Sequence, residues 1–333
     1  MKNIRFQTIA NKIQERDDII SFLEGERKIE GLFDLPNDLP SERIELYKKL
    51  YVGIGNTPIY QVNLPNNNKL HIKSEYFNSL GNSHYSRLWV PYLFIAELLR
   101  VITPGLSHLI EVTSGNSGIA LAMACKALNF QLTLVVPSNL PKGRIEPMLG
   151  YGANIVEVNG YIDKCISKLR KLVVSNGLYP CNHSEELADI QVKIMKRIAV
   201  EYYNEFGLPD FSVIGLGNGT STLALFDYFN TIKGNTRNII FYPDPQKSDI
   251  VLGLYSPIVS LRHIEPAMTL ADQTIYTSPN ALSEVLSYFD FDTEITNFGH
   301  SSLYAIYIAL EVAKQVSCQT FFTIAYDRID RYL

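Results

Sequence analysis

Three short stretches hold the residues whose types and spacing could do chemistry. The first is TSGNSG, residues 113–118, set between an apolar run and a helix-like one. Thr113, Ser114, Asn116 and Ser117 supply side-chain donors, and Gly115 and Gly118 let the backbone approach a ligand closely. The N–H groups at a helix start favour an anion such as a carboxylate. An ordinary helix cap with turn glycines has the same composition, because Ser, Asn and Gly are common cap residues. The second stretch is GLGNGTST, residues 215–222, again between a strand-like and a helix-like run. Gly215, Gly217 and Gly219 permit positive φ, so successive N–H groups can converge on a phosphate. It fits neither GxGxxG nor the GK[ST] pattern, so a nucleotide fold is not indicated. The third is NSLGNSHYSR, residues 78–87, which reads as a loop that cradles an anionic group and then enters a helix. It contains no lysine.

The elements around these loops alternate. HLIEVTS (108–114) is strand-like and GIALAMACKAL (118–128) helix-like. QLTLVVP (131–137) is a strand, PKGRIEPMLGYG holds a helix ending at Gly150 or Gly152, and ANIVEV (153–158) is a strand. YIDKCISKLRKLVVSNG (161–177) is a helix closed by Gly177. Strands flanked by helices at this spacing mean βαβ units and a parallel sheet. The pattern restarts at FSVIGLGNG (211–219), continues through NIIFYPD (238–244) and ends with TFFTIAYD (320–327), with a helical segment around 184–206 between the two stretches. The expectation is an α/β protein with two open twisted parallel-sheet domains and a ligand cleft between them at the carboxyl ends of the strands. The division reads as a helical N-terminal extension over 1–50, a first α/β domain over 51–177 and a second over 178–333.

Composition bounds the partners. The chain has 333 residues, 46% of them hydrophobic, enough for a large core. Only 19% are charged and the net charge is −4, without clusters, which argues against a nucleic-acid or membrane-surface partner. The basic run beginning at Lys168 (KLRKLVV) reads as the solvated face of a helix. The N-terminal sequence lacks a signal-peptide core, and no apolar stretch reaches the roughly 18 residues of a membrane span. A cytoplasmic location is expected. Cys125, Cys165, Cys181 and Cys318 are scattered and read as free thiols, and the six histidines lack metal-ligand spacing.

The order of the loops carries more information than any one of them. IGNTPI (54–59), KSEYFNSLGNSHYSR (73–87), EVTSGNSGIALA (111–122), GLGNGTST (215–222), GHSS (299–302) and DRIDRYL (327–333) follow one another as in the fold-type-II pyridoxal-phosphate enzymes, the cysteine synthase and cystathionine β-synthase group. The chain resembles that family from Tyr47 to Leu333. The resemblance implies that Thr113, Ser114, Gly115, Asn116 and Ser117 grip a substrate carboxylate, with Asn116 facing the cofactor's phenolic oxygen. It implies that Gly217, Asn218, Gly219, Thr220 and Ser221 bind the cofactor phosphate, with Thr220 replacing a family glycine and either crowding the phosphate or donating to it. Relatives are commonly homodimers, so a homodimer is the default, with a partner enzyme as a further possibility.

The family's loop reads roughly N-P-x-G-S-x-K-D-R, and its lysine forms the Schiff base. Here a gapless alignment puts His84 at that place, and one inserted residue puts Tyr85 there, so that SHYSR mirrors S-H-K-D-R. Neither side chain can form the imine. Lys73 matches a second, non-catalytic family lysine. The family's closing segment continues to a serine at the pyridine nitrogen, whereas this sequence stops at Leu333, and Tyr326 replaces a proline. His84 and Tyr85 read as a plug of an emptied pocket, or one of them as an acid–base group. His300 and Cys181 read as packing residues, with Asn182 near the expected cofactor position. Three functions remain open. One is a non-catalytic relative that binds a small anionic or amino-acid ligand or a partner enzyme. The second is an enzyme with altered chemistry through His84 or Tyr85. The third is an amino-acid lyase or transferase that holds pyridoxal phosphate without a covalent bond.

Overall fold

A computed structural model describes residues 8–25, 28–181, 188–232, 234–244, 253–254, 261–278 and 280–333. Ten strands are present among them: β1 (Ile59–Leu64), β2 (Asn68–Ser74), β3 (His108–Val112), β4 (Gln131–Pro137), β5 (Asn154–Val158), β6 (Tyr179–Pro180), β7 (Phe211–Gly215), β8 (Arg237–Pro243), β9 (Gln273–Thr277) and β10 (Thr320–Ala325). They form two sheets in an α/β chain that divides into two units. The first takes the described residues up to Ile54 and from Asn78 to Ile194. The second takes Gly55–Phe77 and Met195–Leu333.

The first unit holds a four-stranded sheet in the order β5-β4-β3-β6, parallel throughout. Its central strand β4 is a near-continuous apolar run, buried from Leu132 to Pro137, as a strand covered on both faces requires. Helix Asn116–Leu128 follows β3 and ends at Asn129, whose left-handed φ of 61° caps it. Helix Ile162–Asn176 buries Cys165, Ile166, Leu169 and Val173 on one stripe, and Lys168, Arg170 and Lys171 face solvent. Gly177 closes it at φ 67°, as its sequence implied. Helix Ser86–Leu98 is buried at all of its residues.

The second unit holds a six-stranded sheet in the order β1-β2-β10-β7-β8-β9. All pairings are parallel except β1 with β2, so this sheet is mixed, not purely parallel. Helix His300–Ala313 packs on it, and Leu303, Ile306 and Leu310 share one buried cluster with Val213, Phe241 and Phe321.

The division differs from the expected 1–50, 51–177 and 178–333. Residues 55–77 join the later half because β2 pairs with β10, Lys69 opposite Thr320 and Lys73 opposite Ile324, a pairing that no local pattern reveals. The later boundary falls at 194/195, inside helix Ala188–Phe206, not at 177. The N-terminal helices belong to the first unit. Arg43, on helix Ser41–Tyr51, makes a two-pronged ion pair with Glu97 at 2.7 and 2.9 Å, and the Tyr47 hydroxyl donates to the same carboxylate at 2.7 Å. Among the described residues no helix is long and apolar enough to cross a membrane.

Candidate functional site

The 78–87 loop is pinned at both ends. The Ser79 amide and hydroxyl donate to the carbonyls of Gly53 (3.0 Å) and Val52 (2.7 Å). The Ser86 hydroxyl donates to the Ser83 carbonyl at 2.7 Å and also reaches the Leu80 carbonyl. Gly81 sits at φ 76°, and a β-carbon there would lie 2.7 Å from the Ala120 Cα. Only glycine lets the loop lie so close on helix Asn116–Leu128. The loop then enters helix Ser86–Leu98 with Tyr85 at its cap position. His84 is 6% exposed, and its ring lies 4.1 Å from that of Tyr85. Burial, with the buried Glu111 carboxylate adding to it, pushes the Tyr85 phenol well above its ordinary range, and Gln191 opposes part of that. Tyr85 is therefore a neutral phenol.

The 113–118 loop follows β3. The Thr113 hydroxyl accepts from the N–H groups of Gly115 (3.1 Å) and Gly118 (3.0 Å), which folds the loop over the helix start. Gly115 lies at φ 157°, ψ −103°. Arg144, from helix Lys142–Gly150, donates through Nη1 to the Ser114 carbonyl at 2.7 Å. Trp89 Nε1 donates to the Ser117 hydroxyl at 3.2 Å, which ties the loop to helix Ser86–Leu98. The first unit thus holds both loops, joined through Gly81 against Ala120 and through Trp89 on Ser117. Its positive electrostatic end is the start of helix Asn116–Leu128, where Asn116 and Ser117 stand.

The glycine loop lies in the second unit. Asn218 Oδ1 accepts from the Thr220 amide at 3.1 Å and from its hydroxyl at 2.6 Å. Thr220, fully buried, therefore turns its hydroxyl inward to Asn218 and braces the loop. Gly219 has φ 86°, and a β-carbon there would lie 2.4 Å from the His263 carbonyl oxygen. A β-carbon on Gly217 would lie 2.8 Å from the Gly253 carbonyl oxygen. These glycines are needed first by the chain's own close packing. Ser221 is 9% exposed at the start of helix Thr220–Thr231.

A parallel-sheet unit in which a Thr-Ser-Gly-Asn turn opens a helix, and a second unit with a glycine-rich turn after its strand, accord with the comparisons. The family described as pyridoxal-phosphate dependent enzyme matches residues 50–290. The chain belongs to that family. Cysteine synthase A of Escherichia coli (strain K12) is 29% identical over 212 residues, 62% of this chain and 65% of the relative. The match therefore spans just under two thirds of that relative's length. A probable cysteine synthase of Bacillus subtilis (strain 168) is 37% identical over 110 residues, 32% of this chain and 35% of the relative. Among solved structures, a hydrogen sulfide-producing enzyme from Fusobacterium nucleatum superposes with a TM-score of 0.77 at 22% identity, over 85% of this chain and 99% of that one. An O-acetylserine dependent cystathionine β-synthase from Helicobacter pylori gives 0.72 at 23%, over 85% and 96%. At these identities the structural likeness is one of fold.

The side chains of this family member fit the cofactor in part. The two helix-start loops suit anionic groups, a carboxylate and a phosphate. Attachment through an imine needs an amine, and residues 84 and 85 are an imidazole and a neutral phenol. Lys73 is engaged within the second unit. It is 2% exposed, with Nζ 2.6 Å from the Thr57 carbonyl and 2.8 Å from Glu201 Oε2. His300 opens helix His300–Ala313 and lies 4.3 Å from the Tyr332 ring. Cys181 is fully buried and its thiol is pushed well up by burial, then by Glu111, which disfavours the thiolate. Asn182 lies outside the described residues. Sequence reasoning missed Arg144, Glu111, Gln191 and Trp89. Glu111 stands two residues before the loop and could have been noticed as a charge in an apolar strand. Nothing in PKGRIEP marks Arg144 as a neighbour of Ser114.

Proposed function

We propose that this cysteine-synthase-like chain lacks the lysine that anchors pyridoxal phosphate and works as a repurposed binder of a small anionic or amino-acid ligand. One observation carries the reading. The 78–87 loop is held firmly in place against helix Asn116–Leu128, with the His84–Tyr85 ring pair at its end where the resemblance puts the lysine. The scaffold of the site is kept and its amine is not. The ligand's carboxylate sits at the start of helix Asn116–Leu128, beside Ser114, Asn116 and Ser117. Tyr85, neutral up to strongly alkaline pH, serves as a hydrogen-bond donor and not as a base.

A second reading has support of its own. The braced 217–221 loop and its helix start are suited to a phosphate, so a lyase or transferase that holds pyridoxal phosphate without a covalent bond is the alternative. One experiment separates the two. Protein incubated with pyridoxal phosphate is reduced with borohydride and mapped by mass spectrometry, and the same preparation is assayed with O-acetyl-L-serine and sulfide. We expect no stoichiometric label and no turnover. Label on a single lysine in one-to-one ratio would overturn the repurposed-binder reading, and turnover without label would establish the alternative.

A further inference from the structure

We propose that Arg144 sets the anion preference of the 113–118 loop, as a positioning residue for a ligand's carboxylate. The inference rests on the reading of that loop as the ligand's anion site. Arg144 stands in the first turn of helix Lys142–Gly150 and is 2% exposed. Its side chain runs directly against the loop backbone. Nη1 donates to the Ser114 carbonyl at 2.7 Å. A β-carbon on Gly115 would lie 2.7 Å from Arg144 Cδ, 2.8 Å from Nη1 and 3.0 Å from Nε. The residue between Ser114 and Asn116 is thus glycine because the guanidinium occupies the space a side chain would need.

The loop is held from two sides by groups of different charge. On one side the neutral Thr113 hydroxyl takes the N–H groups of Gly115 and Gly118. That bond alone would shape the turn. On the other side stands a guanidinium, a charged group that is costly to bury. By drawing the Ser114 carbonyl toward itself, it fixes the peptide planes that lead into Asn116 and Ser117. Its positive charge adds to the partial positive end of helix Asn116–Leu128, in a region of low exposure where screening is weak. A positive charge held at that place favours a carboxylate over an uncharged carboxamide.

The test uses L-serine and L-serinamide as probes, which differ in the carboxylate, with binding to wild type, Arg144→Lys and Arg144→Gln followed by calorimetry. Gln keeps a donor for the Ser114 carbonyl and removes the charge, whereas Lys keeps the charge. We expect wild type to prefer L-serine by about tenfold or more, the size of a hydrogen bond to a charged group. Arg144→Gln should lose most of that ratio, and Arg144→Lys should retain much of it. A ratio unchanged in Arg144→Gln, with only a lower melting temperature, would make Arg144 a scaffold residue and overturn the inference alone. Wild type binding both probes alike would also overturn it alone. Wild type binding neither would overturn the site reading together with it. Salt dependence of the wild type covers the case of a variant that does not fold. A preference set by a buried charge persists at high salt, and one that collapses there comes from exposed charge and rules Arg144 out.

Discussion

Tyr85 is one of the two residues, with His84, that the proposed reading puts where the family has its lysine. Its phenol is kept neutral by burial and by the nearby Glu111 carboxylate. Tyr85→Lys places an amine at the same point. If Tyr85 occupies the position of the family's lysine, the variant should acquire the visible absorbance of a Schiff base with pyridoxal phosphate and a borohydride-trapped label at residue 85. Little turnover is expected. A variant that titrates like wild type would shift the assignment to His84, and His84→Lys is its control. The glycine loop calls for a different design of variant. Gly219→Val looks attractive from sequence, but a β-carbon there meets the His263 carbonyl at 2.4 Å, so the variant damages the fold whatever it binds. Ser221→Ala removes a hydroxyl at the helix start without that clash. If the loop holds a phosphate, Ser221→Ala should weaken stabilisation by added phosphate severalfold, about 1 kcal/mol for one hydrogen bond, with the unliganded melting temperature nearly unchanged. Equal shifts in wild type and variant would leave the loop as a structural turn. The residue types in both loops were legible from sequence because glycine, serine and asparagine serve local backbone needs. Arg144 was not, because its contact with Ser114 spans a helix, a strand and a turn and depends on how two helices pack.

Among the elements, those with local causes were read closely. QLTLVVP is β4 residue for residue, a short run with β-branched Thr and Val ending at a proline, which favours a strand over a buried helix. Helix Ile162–Asn176 ends where Gly177 supplies the left-handed cap. The antiparallel β1 is a local hairpin with β2, turning at Asn66 and Asn67 with positive φ, a signal the sequence held and the expectation passed over. The pairing of β2 with β10 was missed because it joins residues some 250 apart in sequence, and its register leaves no local signature. Helix Ser41–Tyr51 illustrates the same limit from the other side. Its helical period was visible, but not its anchor. Arg43, Tyr47 and Glu97 form one network, with side chains of Arg43 and Glu97 only 14% and 7% exposed. The Glu97 carboxylate raises the Arg43 guanidinium despite the burial that works against it. Glu97→Ala leaves a buried cation and a buried phenol without their acceptor. It should cost about 3–5 kcal/mol in urea denaturation, the usual price of breaking a buried pair from one side. Hydrogen exchange should locate the loss in residues 41–51. A cost below 1 kcal/mol would mean that water replaces the carboxylate and that the helix is held by Phe33, Tyr47 and Phe94 alone.

At the scale of the whole chain, each unit buries phenols whose ionisation the fold suppresses. Tyr47, Tyr85, Tyr92 and Tyr179 in the first unit, and Tyr76 and Tyr202 in the second, are all pushed above the ordinary tyrosine value, in every case first by burial. The direction of the consequence follows from proton counting. Below the ordinary value of 10.0, folded and unfolded chains both keep these protons, and stability does not depend on them. Above it the unfolded chain releases protons that the folded chain retains. The unfolded state then binds fewer protons, so unfolding becomes more favourable as pH rises. The thiols of Cys125, Cys165 and Cys181 are raised by burial in the same way from an ordinary value of 9.0. The urea midpoint should therefore begin to decline above about pH 8 and fall more steeply above about pH 10, where the phenols join. Difference absorbance of the folded protein should show these phenols still protonated where the unfolded chain has ionised. Tyr92→Phe and Tyr202→Phe remove one such group from each unit and should each make the alkaline decline shallower. If the decline keeps its slope in both variants, other groups drive it. If stability stays level past pH 11, the buried phenols ionise alike in both states, and the suppression by burial is refuted.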